Sequence, residues 1–451
     1  MTEKTISITE GPILRQVMRL AWPAVSAMFL HTAMSITDAI WVGRLGADQM
    51  AAVISSMFVI WILYSLIGVV DTGTVAVLSR YYGAREFDKA AHAGRQAVIL
   101  GIVGSAVVTG AGIPLASLAF KVMQTEPEVA QHGIPYLQII FGIAFMVFMG
   151  ELLSAIFRAT GDTKTPLVVS SIAIGLNLVL DPLLILGLGP FPRLEVVGAA
   201  LGTAISYLVG FSLYLIVMKR GKLTFRFNWT RTVQLDFKML WQIIKIGTPA
   251  SMAGVIFSVV YLFINRITAG YGTTAIAALG IGNRCESLSY LICWGFSLAV
   301  ATLVGQNLGA KKPERAEKSV WYTVAITAGV TTLIAIAFVV LPRQITALFI
   351  DDPAVKEIAV DYLLILAISQ PFMAVVIVLE GAFSGAGNTM PPMVISICHS
   401  VTRLPLAYLL CYTLDLGING VFWAITLTTV ASSIVIMIWF RRGRWKLKEV
   451  H

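Results

Sequence analysis

Apolar residues run through this chain in long blocks, and short polar stretches break them at near-regular intervals. A membrane-spanning helix needs about 20 mostly apolar residues. Twelve blocks meet that length, at 17–42, 50–77, 94–119, 134–158, 166–189, 197–218, 243–269, 275–305, 320–341, 358–384, 392–414 and 419–440. Gly and Pro mark the joins, as in GRLGAD, GDTKTP, LGPFPR, GYGTT, GAKKPE and GAGNTMPP. The longest polar stretch, 219–242, divides the chain nearly in half. The pattern predicts an all-α membrane protein with an N-terminal six-helix lobe (1–218), a cytoplasmic linker (219–242), a C-terminal six-helix lobe (243–440) and a basic cytoplasmic tail (441–451).

The two halves repeat at a constant offset. Shifted by 226, Pro23 meets Pro249, Gly46 meets Gly272, and Gly83-Ala84 meets Gly309-Ala310. Pro127 meets Pro353, Tyr136 meets Tyr362, Gly161 meets Gly387 and Pro166 meets Pro392. Only the last helix pair drifts, with Gly198 and Gly420 separated by 222. Internal repeats are a common build for secondary transporters. Six spans per unit make both units enter the bilayer from the same side. The expected relation is therefore a pseudo-twofold along the membrane normal, with the substrate path between the halves.

Composition agrees with this reading. The 451 residues are 57% hydrophobic and 13% charged, with mean hydropathy +0.82. A soluble domain carries about 25% charged residues. The net charge of +9 raises the thought of nucleic acid. Counting Lys and Arg by loop gives 24 on one side and 5 on the other, which explains the excess by the positive-inside rule and puts both termini in the cytoplasm of a plasma-membrane protein. No nucleic-acid partner is expected. The first apolar run lacks a small-residue cleavage site and is expected to stay as a helix. Cys285, Cys293, Cys398 and Cys411 lie in apolar stretches without metal-ligand spacing and read as packing residues. There is no GxxxxGK[ST] loop, no dense Arg helix and no TVGYG filter, which argues against an ATPase, a voltage sensor and a potassium channel. The chain is not expected to be an enzyme, and no cofactor is expected beyond a coupling ion.

Charged groups at membrane depth cost about 2.5–3.5 kcal/mol each, so those present are candidates for function. Asp38 lies in the first span with His31 seven residues earlier on the same face. Asp181 lies in the fifth, four after Asn177 and just before Pro182, which should loosen the helix. If close, the two carboxyls would compete to ionise and one would hold a proton, a plausible coupling device. The bland alternatives are that Asp38 reaches water at its helix end and that Asp181 partners a helix break. Asp71 and Glu151 are further acids of this lobe, as apt to be structural as functional; Glu151 is three before Ser154. In the second lobe, Glu286 sits three after Asn283 and four before Tyr290, with Arg284 facing elsewhere. Glu380, Arg266, and Arg403 four after His399 complete the set, with ion pairing as the bland account. Met28, Met34, Met146, Met149 and Met373 could line a greasy cavity, though ordinary packing explains them as well. Under the 226 shift, Arg403 falls on Asn177, Ile264 on Asp38 and Ala407 on Asp181, so the lobes share a skeleton but not their charges.

LAWPAVSAMFL, TDAIWVGRLGADQMAA, RYYGARE, FRATGDTKTP, LNLVLDPLLILGLG, VGAALGTAIS, GIGNRCESLSYL and VGQNLGAKKPERA together resemble the multidrug and toxic compound extrusion (MATE) transporters, over nearly the whole chain and most closely the branch with archaeal members. The resemblance implies export of amphiphilic or cationic organic compounds, by a chain functional as a monomer, through antiport with H⁺ or Na⁺. It implies coupling at Asp38 and Asp181, with Asn177, Tyr136 and Thr203 as their polar cluster and Na⁺ as a possible ligand of the two carboxylates. It also matches Glu286 to an acid of the eighth span; His31, Glu151, Glu286 and Arg284 form a possible substrate or secondary polar site. The chain departs from the family at His31, where Gln is frequent, and at Glu151, where an amide is usual. It lacks the seventh-span carboxylate of another branch, since AGVIFSVVYLF holds none. A flippase of lipid-linked or other amphiphilic substrate is the alternative, kept open by Arg266, Arg284 and Arg403. A channel or receptor fits the repeat and the buried carboxylates poorly.

Overall fold

The computed structural model describes residues 8–221, 223 and 234–448. Those residues form helices and turns, with no strand among them. The elements are α1 (Ile13–Gly43), α2 (Ala47–Gly83), α3 (Phe87–Val122), α4 (Pro127–Gly142), α5 (Ala144–Ala159), α6 (Lys164–Leu186), α7 (Glu195–Lys219), α8 (Phe237–Ala269), α9 (Thr273–Gly309), α10 (Pro313–Val340), α11 (Pro342–Ala347), α12 (Pro353–Gly385), α13 (Met390–Tyr408) and α14 (Asn419–Arg441). Among the described residues, eleven helices are long and apolar enough to cross a membrane, and the bent pair α4–α5, taken as one span, makes twelve. The apolar pattern located every one of them. It underestimated several lengths, because helices such as α2 and α3 continue as polar turns beyond the apolar block.

The fourth span differs from expectation. Instead of one helix over 134–158, α4 and α5 meet at Ile143 with a 50° bend. A bend leaves backbone carbonyls without their i+4 donors, which lipid cannot satisfy. Here Thr109 of α3 donates its hydroxyl to the Phe141 carbonyl at 2.8 Å. Its repeat counterpart α12 is unbroken despite Pro371. The eleventh span ends in a π-helical turn, Leu409–Thr413.

The chain forms two compact units. One comprises Ser26–Gly247; the other comprises Ile8–Val25 and the residues from Thr248 onward. The start of α8 therefore packs with the first unit and the start of α1 with the second. Small residues permit both crossings. A Cβ on Gly247 would stand 1.8 Å from the Val69 carbonyl oxygen of α2, and one on Gly295 of α9 would stand 2.8 Å from the Val25 nitrogen of α1. Val69 and Gly295 are 226 residues apart, so the repeat reproduces the crossing with the glycine moved to the other partner.

Polar clasps hold the chain ahead of each crossing. In the first unit, Gln96 of α3 donates to the Gln234 carbonyl at 2.7 Å, and His92 meets Asp236 at 3.2 Å. Asp236 also accepts from the Met239 amide at 3.0 Å, capping α8. That amide first, and His92 after it, hold its carboxyl below the ordinary range. In the second unit, Lys312 donates to the Thr9 carbonyl at 3.1 Å and Arg315 to the Gly11 carbonyl at 2.7 Å. Residues 222 and 224–233 of the expected linker lie outside the described residues. The basic tail is anchored as far as it is described: Trp445 is buried and stacks on Phe440, and Lys446 pairs with Glu317 at 2.5 Å.

Candidate functional site

Two polar clusters lie inside the first unit. Asp181 and Asn177 share the inner face of α6, both with no exposed surface. Asn177 Nδ2 donates to Asp181 Oδ1 at 3.0 Å. The four-residue spacing makes this bond local. On α1, Asp38 is half-buried and brings its carboxyl within hydrogen-bonding reach of Asp181. Ionised carboxylates only accept, so two in contact need a proton or a cation between them. Tyr136 of α4 lies in the field of both. From α7, Gly202 makes room: a Cβ there would stand 2.5 Å from Asp181 Oδ1 and 3.6 Å from Asn177 Nδ2. Among the described residues, no donor group reaches Asp38 Oδ1, Asp181 Oδ2 or Asn177 Oδ1, although all three are buried. A buried acceptor without a partner is costly, so three together define a place for a cationic species.

The second cluster centres on α5. Arg158, 11% exposed, pairs with Asp71 of α2 and donates to Ser154 Oγ at 2.5 Å. α5 runs to Ala159 and carries Arg158 into the lobe. This assigns Asp71 to an interhelical ion pair. Glu151, two turns before Arg158, is half-buried and lies close to His31, Arg158 and Asp71. His31 thus lies in the electrostatic field of Glu151, although it shares a helix face with Asp38. Tyr64 of α2 and Tyr207 of α7 bond hydroxyl to hydroxyl at 2.8 Å. Tyr207 feels the charges of both Glu151 and Asp38.

The second unit has one larger cluster. Arg403 of α13 is 3% exposed, bonds Thr428 Oγ1 at 3.2 Å and meets His399 Nε2 at 2.8 Å. Glu286 lies in its field, without an ion pair at bonding distance among the described residues. Asn283 Oδ1 accepts from Tyr261 at 2.7 Å and from Tyr362 at 3.2 Å. Glu380 Oε1 accepts from Ser396 Oγ at 2.5 Å. Arg284 and Tyr290 are exposed. Arg266 lines a crevice of about 510 Å³ with Phe263, Tyr408 and Tyr412.

The structure therefore joins Asp38, Asp181, Asn177 and Tyr136, and sets His31 in the field of Glu151. Thr203 is half-buried beside the site, and the contact with Asp181 belongs to its neighbour Gly202. Met149 and Met373 are buried in packing, while Met28, Met34 and Met146 are half-buried. Cys285, Cys293 and Cys411 are buried and Cys398 is exposed; all four are free. Arg158, Tyr64, Tyr207 and Gly202 were not anticipated. Arg158 was within reach of sequence reasoning, because Glu151, Ser154 and Arg158 fall at i, i+3 and i+7. The tyrosines gave no such signal, since their partnership spans 143 residues.

Twelve apolar spans, built as a repeat and folded around buried carboxylates, define a polytopic membrane transporter. The MatE family pattern matches twice, at residues 23–183 and 249–409, and the chain belongs to that family of multidrug efflux transporters. The two matches start 226 residues apart, the offset of the repeat. Similar proteins include the probable multidrug resistance protein NorM of Thermotoga maritima (26% identical, covering 97% of this chain and 94% of that one). Others are the FAD transporter of Shewanella oneidensis (28%; 95% and 94%) and the probable multidrug resistance protein YpnP of Bacillus subtilis (29%; 99% and 99%). Solved structures with the same fold include a MATE protein in its straight conformation (TM-score 0.93, 23% identity, full coverage of both chains). A MOP superfamily transporter from Pyrococcus furiosus matches equally completely, with TM-score 0.92 and 23% identity.

Proposed function

We propose that this protein exports amphiphilic organic cations across the plasma membrane by antiport with H⁺ or Na⁺, without enzymatic chemistry, as a monomer with cytoplasmic termini. The observation that carries this is the Asp38–Asp181 pair with its three buried acceptors lacking a donor. A proton or a Na⁺ supplies what that set lacks. Asn177 orients Asp181 through its amide nitrogen, Gly202 leaves space, and Tyr136 lies in the field of both carboxyls. With one proton already held between the two carboxyls, binding of the coupling ion neutralises the pair. An N-terminal lobe with a neutral pair costs less to rearrange in lipid than one with a buried charge, so loading favours the state that releases substrate outside. Loss of the ion on the cytoplasmic side resets the carrier.

The test is reconstitution in proteoliposomes with a pH gradient and a Na⁺ gradient imposed separately. One of the two should drive ethidium movement in the wild type, and neither should in Asp38→Asn. Undiminished gradient-driven movement in that variant sinks the reading.

A second reading, movement of an amphiphile bearing a phosphate, is favoured by one feature. Arg403 is a buried guanidinium without a bonded carboxylate among the described residues. The FAD transporter of Shewanella oneidensis, by its name, carries a phosphate-bearing molecule. Movement that persists in Asp38→Asn but stops in Arg403→Gln would mark this alternative.

A further inference from the structure

We propose that the crevice between α8 and α13, at the membrane surface opposite the linker, binds the headgroup phosphate of an anionic phospholipid through Arg266, with Tyr408 and Tyr412 as its aromatic wall.

Two stripes of side chains build the crevice. On α8, Phe263, Arg266 and Ile267 follow the i, i+3, i+4 spacing of one helix face. On α13 and the π-helical turn that ends it, Leu404, Tyr408 and Tyr412 recur at every fourth residue. The opposite faces of the same two helices carry Ile264, Thr268, Arg403 and Ala407, all buried. The stripes therefore face away from the lobe interior, and the crevice of about 510 Å³ lies between them. Sites for small ligands run to about 300–1,000 Å³.

The end of the span is shaped around this space. The Leu414 amide bonds the Leu409 carbonyl at 3.0 Å, a five-residue step that admits one residue more than an α-helical turn. Tyr412 packs on Tyr408 with ring centroids 4.7 Å apart, and on Tyr271 at 6.1 Å. A Cβ on Gly270 would stand 3.6 Å from the Tyr412 hydroxyl, so this ring ties the π turn to the end of α8. Tyr408 and Tyr412 are nonetheless 61% and 51% exposed, an aromatic wall with one face open.

Charge selects the occupant. α8 starts at Phe237, just past the linker, and Arg266 lies in its last turn, so the guanidinium sits at the far membrane surface. Among the described residues it makes no ion pair or hydrogen bond, and no carboxylate lines the crevice. The planar fork of an arginine matches a phosphate with two parallel bonds. Tyrosine rings favour the depth where headgroups meet acyl chains. Phe263 and Leu404 take the apolar part of the lipid, and an organic cation is repelled. The repeat supplies the contrast: Arg266, Tyr408 and Tyr412 correspond to Ile40, Pro182 and Leu186, which offer neither cation nor hydroxyl.

The experiment titrates purified full-length protein in detergent with dioctanoyl phosphatidylglycerol and counts bound lipid by native mass spectrometry. The wild type should hold one phosphatidylglycerol, which dioctanoyl phosphatidylcholine displaces poorly. Arg266→Gln should weaken that binding roughly tenfold, the effect of one charge-assisted contact. Leu404→Trp, which fills the crevice and keeps the guanidinium, should weaken it as much, and Arg266→Lys should retain most of it. Equal affinity in wild type and Arg266→Gln overturns the proposal. A loss in Arg266→Gln with none in Leu404→Trp also overturns it, since that pattern marks surface charge and no crevice. Displacement by inorganic phosphate overturns the lipid as occupant, and displacement by ethidium overturns the selection of an anion. Phosphatidylglycerol should raise the melting temperature of the wild type and leave that of a folded Arg266→Gln unchanged.

Discussion

The two lobes carry the same scaffold and opposite solutions to a polar interior. Asn177, which holds Asp181 in the first lobe, corresponds to Arg403 in the second. Asp38 corresponds to Ile264 and Asp181 to Ala407, both fully buried in the second lobe's apolar core. Tyr136 matches Tyr362 in kind, as Tyr64 matches Tyr290, and Tyr362 is tied to Asn283 where Tyr136 faces carboxylates. One lobe keeps acids whose charge an incoming ion can cancel. The other has filled the equivalent volume with methyl groups and placed a fixed cation beside it. A guanidinium cannot be deprotonated at working pH, so its charge does not switch. The duplication shows that helix packing tolerates either chemistry at equivalent positions.

Substitutions can break that contrast. The largest effect is expected from Asp181→Asn, which removes the buried acid and should lower gradient-driven efflux by roughly 100-fold, a coupling loss of about 3 kcal/mol. Next is the ion pair beneath the site. Asp71→Ala leaves Arg158 with an uncompensated charge and should destabilise the protein by about 3–5 kcal/mol, read as a lower melting temperature, with Arg158→Ala comparable. Gly202→Ala sharpens the comparison more gently. Its methyl would press on Asp181 Oδ1, and overpacking of this kind costs about 1–3 kcal/mol, so the melting temperature should fall modestly and ion affinity roughly tenfold.

The smallest expected effect lies outside the membrane, at the clasp on α8. Asp236 has a lowered pKa in the folded state, so its contribution to stability is present above the unfolded carboxylate value near 3.9 and is lost as pH falls through the folded one. The group is more than a third exposed, so solvent screening limits Asp236→Asn to about 1 kcal/mol at neutral pH, with no difference from wild type under strongly acidic conditions. Melting temperatures of both proteins across pH 3–7 check the sign.

The twelve spans and the repeat were legible in the chain because a helix in lipid must satisfy its backbone internally and present apolar side chains throughout. That requirement acts on every residue locally and leaves a continuous signal. Asp38, Asp181 and Asn177 were legible for the same reason, since polar groups inside such runs stand out. What they touch was not. Asp38 and His31 lie on one face of α1, yet the first meets Asp181 and the second lies in the field of Glu151, because different helices pack against the two turns. The bend at Ile143 depended on Thr109, some thirty residues away on α3, taking up a freed carbonyl. Gly202 matters only because α7 brings its bare Cα against Asp181. By itself, the sequence determined the solvent, the span count, the duplication and the inventory of buried charge, all properties of one helix at a time. Tertiary structure alone decided which charges are paired and which are left to exchange, because pairing is a matter of distance between helices and every such distance is set by packing.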